Sequence, residues 1–436
     1  MPSLVEELAS KIIEACRDPG QVGKARIAAA DTLSVAGAGY RLATHKPAPP
    51  SSTGKALVAG SWSRAHPIEA AAVNAFYAHS IELDDWNPRG YVHAGTVVVP
   101  AALSAALEAE ADMELFLRGV VAGYQAAYMV GGYLGRSHYS KWHTTSTAGL
   151  VGSTVAVRTI LSDCSPSGID GLIQVSANYA GGLWSVPRVN PALKPVSAMT
   201  AASAGYILAV NTPEAGMGEP VLGEVCRLLS GTCTGVPQGY SLDYNGYKFY
   251  PTCRHTHTSI EAALRLREKL GFTIDMIDEV VVETYREAVR VAGGRGFPSS
   301  VEEARFNLGY LVALALGRGN VWFDTLHDGL SDSRITGLYK RVRIVENKDY
   351  TEMYPDYQPS TVKAKIHGAG WVSETVSLPL GDPGRGVSRR DILDKASRLS
   401  EATGDQRIYM VAEWIMESGN RALLKELVEY ISLNTA

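Results

Sequence analysis

Apolar positions recur at three- and four-residue spacing through the first half of the chain. The spacing predicts helices over about 4–17, 22–38, 66–83, 96–110, 114–134, 147–161, 169–184 and 196–210. Several are apolar on nearly every face and dense in Ala, Gly and Ser, as in GVVAGYQAAYMVGGYLG between Arg118 and Arg136. A helix of that kind buries most of its circumference and lets neighbouring backbones approach closely. The stretch is charge-free but short for a membrane span and carries Gln125, so it is expected in a helical core and not in a bilayer. At the N-terminus, Ser3 and Glu6 make a capping-box pattern ahead of an amphipathic helix, which is not the pattern of a leader peptide.

The pattern changes near Gly239. A polar, aromatic stretch, GYSLDYNGYKFYPTCRHTHTS, leads into a predicted helix at about 257–270. The segments DEVVVETYREAV, YKRVRIVEN and TVKAKIHGAGWVSETVSLPL are β-branched and alternating and read as strands, with AGWV suggesting a hairpin turn. A further helix is predicted at about 300–316. The loop GDPGRGVS ends this module, and Ser388 opens two amphipathic helices expected to pack back on the first part. The predicted fold is therefore mostly α. Residues 1–238 and 386–436 form a large all-helical domain, and 239–385 form an inserted, smaller α+β domain.

Composition adds limits. At 436 residues, two domains are expected, and 46% hydrophobic with 20% charged residues is ordinary for a globular protein. A net charge of −4 gives no general affinity for nucleic acid, and an anionic substrate would need local cations. Five cysteines, at 16, 164, 226, 233 and 253, form no CxxC pair. They read as reduced thiols of a cytoplasmic protein and match no iron–sulfur ligand pattern.

Four clusters carry candidate chemistry. HSIELDDWNPRGYVHAG (79–95) holds Glu82, Asp84, Asp85 and two histidines, a mixture suited to paired proton transfer or to an acidic helix end in solvent. KWHTTSTAGLVGS (141–153) places His143 and Thr144 before a helix whose N-terminus could hold a carboxylate or simply be capped. Lys194 stands just before an apolar helix, with Pro195 in its first turn. YKFYPTCRHTHTS (247–259) gathers Lys248, Arg254, His255 and His257, which suits a polyanion better than a metal because no completing ligand set is near.

Taken in order, these segments resemble the MmgE/PrpD family, which includes 2-methylcitrate dehydratase, cis-aconitate decarboxylase and iminodisuccinate epimerase. AAAVNAFYAHSIELDDWN…HAG is similar to the family's Asn-Gly-x-x-x-His…Asp-Phe-Asp-Asp…His-Pro segment, and KWHTTSTAG to its His-Pro-Thr stretch. LKPVSAMTAASAG resembles its Lys-Pro-Leu-His stretch, YKFYPTC its Lys-x-x-Pro-x-Cys entry, and ARFNLGYLVALALGRG its lid helix with Phe-Ser-x-x-Tyr. The resemblance implies a helical domain with a smaller lid, a homodimer, and acid–base chemistry on a small carboxylic acid with neither metal nor cofactor. The implied reaction is lyase chemistry, with epimerisation or catalytically silent metabolite binding as alternatives. It implies catalytic roles for His93, His143, Glu82, Asp85 and Tyr310. Substrate contacts are implied for Lys194, Lys248, Arg254, Thr144 and His255. Departures from the family pattern, at Ala75, Glu82, Trp86, Ser197 and Met199, gather around the implied site.

Overall fold

Ser3 opens the first helix, α1 (Leu4–Arg17). Its hydroxyl accepts from the Glu6 N–H while the Glu6 carboxylate accepts from the Ser3 N–H. Asp18 caps α2 (Pro19–Leu42), its carboxylate accepting from the Gln21 N–H, with proline in the first turn where its missing N–H costs nothing. This computed structural model describes residues 3–51, 53–162, 168–213, 221–270, 273–294 and 296–433. The chain divides into two units, residues 1–247 with 387–436, and residues 248–386.

In the first unit α3 (Pro67–Ser80), α4 (Gly95–Glu108), α5 (Met113–Tyr139), α6 (Thr144–Leu161), α7 (Ile169–Asn178), α8 (Lys194–Asn211) and α9 (Val221–Ser230) follow. The α5–α6, α6–α8 and α3–α8 faces pack most closely. Small residues make this possible: a Cβ on Gly123 would stand 2.7 Å from the Gly152 carbonyl oxygen, and a Cβ on Gly152 the same distance from that of Gly123. The charge-free stretch of α5 is buried in this core. Among the described residues, one stretch, Pro191–Asn211, is long and apolar enough to cross a membrane, and its α8 portion packs on α3 and α6. Two short antiparallel ladders complete the unit, β1 (Ala56–Val58) with β2 (Ser63–Ala65), and β3 (Asp85–Trp86) with β4 (Gly246–Tyr247).

The second unit contains α10 (His257–Leu270), β5 (Ile277–Thr284), α11 (Leu308–Arg318), β6 (Val342–Glu346), β7 (Ser360–Ile366) and β8 (Gly370–Val376). Its sheet has the order β6-β5-β7-β8, with β5 parallel to β6 and antiparallel to β7, and β7–β8 forming the expected hairpin. Ile260, Leu266, Val280, Val282, Leu311 and Val362 belong to its core. The chain then returns to the first unit as α12 (Arg389–Thr403), α13 (Arg407–Glu417) and α14 (Leu424–Leu433), of which α12 and α13 pack on α2. The chain is mostly α-helical, with sheets that are few and small.

Four expectations are corrected. The predicted 169–184 helix stops at Asn178, ahead of Gly181 and Gly182, the latter at φ 103° where only glycine is at ease. The strand expected through YREAV ends at Thr284, and Arg286–Ala292 is a seven-residue helix, too short for its period to declare itself. The 300–316 helix is broken by Asn307, whose side chain accepts from the Tyr310 N–H and caps α11. Cys226 and Cys233 are joined as a disulfide instead of standing as thiols, because the turn after α9 brings their Cα atoms within 5.8 Å. Cys16 and Cys253 are buried and form no disulfide among the described residues, and Cys164 lies outside the described residues.

Candidate functional site

Helix α3 ends one residue after His79. Ile81 leaves helical space and Glu82 takes a left-handed conformation at φ 53°. That conformation costs a residue with a Cβ about 1–2 kcal/mol, and it persists only where surrounding contacts over-determine it. Here they do. The buried Glu82 carboxylate pairs with the buried ammonium of Lys194, the first residue of α8. Lys395 of α12 donates to the Leu83 carbonyl at 2.6 Å and to Asp31 at 2.6 Å.

This turn delivers Asp84 to two imidazoles at once. Its Oδ2 lies 2.9 Å from His79 Nδ1 and 2.9 Å from His93 Nδ1. His93 Nδ1 is also 2.7 Å from the Asp85 carbonyl oxygen. Carboxylate and carbonyl oxygens only accept, so in both rings the proton sits on Nδ1 and the lone pair on Nε2.

His143 completes the group. It precedes α6, donates its N–H to the Gly182 carbonyl at 2.9 Å, and stacks on His79 with ring centres 5.5 Å apart and planes 15° apart. His93 lies 5.1 Å from His79, and Trp184 lies 4.3 Å from His143. Both ring nitrogens of His143 are buried without a hydrogen-bond partner among the described residues, as are His79 Nε2, Thr144 Oγ1 and Trp184 Nε1. Each such atom costs about 1–3 kcal/mol while unmet. Burial, then the neighbouring His79 and Lys194, holds His143 well below the usual imidazole range. His79 is pushed down to about 4 by burial and then Lys194, against the pull of Asp84. Both rings are neutral near pH 7.

The Asp85 side chain does other work. Its carboxylate accepts from the Gly95 N–H at 3.0 and 3.1 Å, the Tyr124 hydroxyl at 2.8 Å and the Asn245 amide at 3.1 Å. It thereby caps α4, whose own N-cap residue, Ala94, has no side-chain oxygen. Burial raises its carboxyl to about 7, opposed by the hydrogen bonds of Tyr124 and Asn245. Asp85 therefore reaches His93 through its backbone, and the carboxylate that holds the histidines is Asp84. Sequence reasoning placed Asp84 and His79 in the cluster without giving either a role. The available signal was an acid one residue upstream and a histidine at the last turn of α3.

His79, Glu82 and Asp84 offer ligand atoms within 4.8 Å of one another, a spacing open to a metal ion. One oxygen of each carboxylate is already engaged, Glu82 with the Lys194 ammonium and Asp84 with His79 Nδ1, whereas His79 Nε2 has no hydrogen-bond partner among the described residues. The lysine supplies the positive charge that such a corner requires.

The remaining expected residues fall in the second unit. Lys248 is fully buried there. Arg254 is buried and donates to Asp382 at 2.9 Å, and His255 Nδ1 hydrogen-bonds the Tyr285 hydroxyl at 2.7 Å. Tyr310 lies in that unit's apolar core and donates its hydroxyl to the Leu326 carbonyl at 2.7 Å. Of the departures in the first unit, Met199 packs with Phe76 and Tyr77, and Trp86 is buried in the β3–β4 ladder. Ser197 lines a cavity of about 380 Å³ with Ser146, Leu150, Leu183 and Thr200.

Residues 14–229 match the MmgE/PrpD N-terminal domain and residues 250–416 the MmgE/PrpD C-terminal domain. A mitochondrial 2-methylcitrate dehydratase from Yarrowia lipolytica is 31% identical over 141 residues, 30% of this chain, and the match spans 27% of that protein's length. The cis-aconitate decarboxylase-like protein oryM of Aspergillus oryzae is 21% identical over 418 residues, covering 87% of this chain and 85% of that protein. Both relatives are named for lyase reactions. The chain belongs to the MmgE/PrpD family.

Proposed function

We propose that the chain is a lyase that removes water or carbon dioxide from a small di- or tricarboxylic acid, with its own side chains moving the protons. The observation that carries this reading is the buried, neutral His143, both nitrogens unmet, stacked beside an imidazole pair that one carboxylate orients. Buried acceptors and donors without partners mark a place where a polar ligand restores the missing bonds.

In this reading His93 Nε2 takes the proton from the carbon next to a substrate carboxylate. The C–H electron pair moves into that carboxylate as an enediolate. The Lys194 ammonium and the N–H of neutral His143 meet the developing charge, a task for which a neutral imidazole in a dry site is well suited. Collapse of the enediolate expels the β-hydroxyl, which leaves as water with a proton returned by an imidazole. Thr144 and the first N–H groups of α6 lie beside His143 and suit a second carboxylate.

Proton NMR in deuterated buffer with 2-methylcitrate, citrate and cis-aconitate, before and after EDTA treatment, tests the reading. Product should form equally in both samples, and His143→Ala should lower turnover by about 10²–10⁴-fold with an unchanged melting temperature. Full activity in that variant would remove His143 from the mechanism. Deuterium exchange without a new alkene would assign epimerisation instead.

The same reading includes a homodimer. Leu183, Val186, Val189, Val196, Ile207 and Val210, all from the segment 183–210, are exposed, Val189 by 85%. An apolar face of that kind supports a protein partner, and a second copy is the partner proposed.

A further inference from the structure

We propose that His79 is a positioning residue that shares Asp84 with His93 and thereby sets how strong a base His93 is. The inference rests on the reading of His93 as a base for its catalytic meaning, though not for its test. Asp84 Oδ2 is hydrogen-bonded to His79 Nδ1 at 2.9 Å and lies 2.9 Å from His93 Nδ1, which is itself hydrogen-bonded to the Asp85 carbonyl at 2.7 Å. A carboxylate that already accepts one N–H stabilises a second cation beside it less strongly. The two rings are not equivalent. His79 is fully buried and stacked on His143, whereas the His93 side chain is 18% exposed. A proton taken by the cluster therefore settles on His93, where the adjacent Asp84 carboxylate stabilises the charge.

The groups facing His93 fix the balance. They are Asp84, the Asp85 carbonyl, His79 and His143, with the Lys194–Glu82 pair close by, Lys194 acting to lower both His79 and His143. Asp84 is the negative charge in direct contact with His93. The His79 N–H permanently takes part of that charge. Without it, Asp84 would act wholly on His93 and the imidazolium would be stabilised, so His93 would be protonated, and inactive as a base, up to a higher pH. His79 keeps His93 available near neutrality.

The test uses the full-length protein without substrate. The His93 ring signals are followed by NMR against pH in wild type, His79→Leu, His79→Gln and His79→Asn. Leucine has no donor, and a glutamine amide stands at the Nε2 position, where it does not reach Asp84. Both should raise the His93 midpoint by about one pH unit, the low end of the effect of an adjacent opposite charge. Asparagine places its amide at the Nδ1 position and should restore the wild-type midpoint. If leucine fails to fold, glutamine carries the same comparison. An unchanged midpoint in the donor-free variant overturns the proposal. So does an equal shift with asparagine, which would assign the effect to the lost stacking on His143. Turnover by His93→Asn is measured separately: if it stays at the wild-type level, the functional reading fails whatever the titrations show.

Discussion

Glu82 and Lys194 stand 112 residues apart and meet as a buried ion pair. Removing one partner of such a pair leaves a charge with neither water nor counter-ion. Lys194→Met is therefore expected to destabilise the protein by about 3–5 kcal/mol, whereas the double change Lys194→Met with Glu82→Gln recovers most of that loss. Urea denaturation of the two single variants and the double variant measures the coupling, and strictly additive losses would deny it. Both residues were visible in the sequence, Glu82 in the acid- and histidine-rich stretch 79–95 and Lys194 just before an apolar helix. So were His93 and His143, because histidine among hydroxyls and acids is uncommon in a core. The partnership of Asp84 with His79 was not visible. It depends on a left-handed backbone at Glu82, and nothing in the residue type announces that a glutamate adopts the conformation usual for glycine.

At the scale of elements, the capping of α4 by Asp85 has a measurable pH signature. Burial raises the folded-state carboxyl to about 7, whereas in the unfolded chain it titrates near the usual 3.8. The unfolded state therefore loses its proton first as pH rises. The contribution of Asp85 to stability is fully present below about 3.8 and is lost as pH rises through about 7. Asp85→Asn should flatten that part of the stability–pH curve in urea titrations, and an unchanged slope would refute the assignment. The same cap leaves no room at Gly95, where a Cβ would stand 2.5 Å from Thr32 Oγ1 and 2.6 Å from the Tyr124 hydroxyl. Gly95→Ala should cost about 1–3 kcal/mol through overpacking, read as a lower melting temperature. The helix itself was legible from its apolar run. Its cap was not, because the capping oxygen comes from ten residues upstream and the residue beside the helix is alanine. Short elements escaped for a related reason: Arg286–Ala292 and Val301–Ala304 offer too few turns for a period to be counted.

For the molecule as a whole, the proposed dimer face gives a prediction in solution. Val189→Lys with Ile207→Lys should shift the protein from dimer to monomer in sedimentation velocity while each subunit stays folded, and a wild-type sedimentation coefficient would place the interface elsewhere. The change of period near Gly239 and the return to amphipathic helices after Ser388 were legible in the sequence. The structure places residues 239–247 with the first unit, because β4 pairs there with β3 beside Asp85. A strand of two residues carries no pattern of its own. The last helices hold a further consequence. Lys395 secures the Leu83 carbonyl and Asp31, 312 and 364 residues earlier in the chain. A ribosome makes the histidines, Glu82 and Lys194 long before it makes Lys395. The nascent polypeptide therefore carries every reactive group through most of its synthesis without the clasp that sets their turn. On the proposed reading, catalytic competence arrives late in translation, and a chain ended before Lys395 should lack activity.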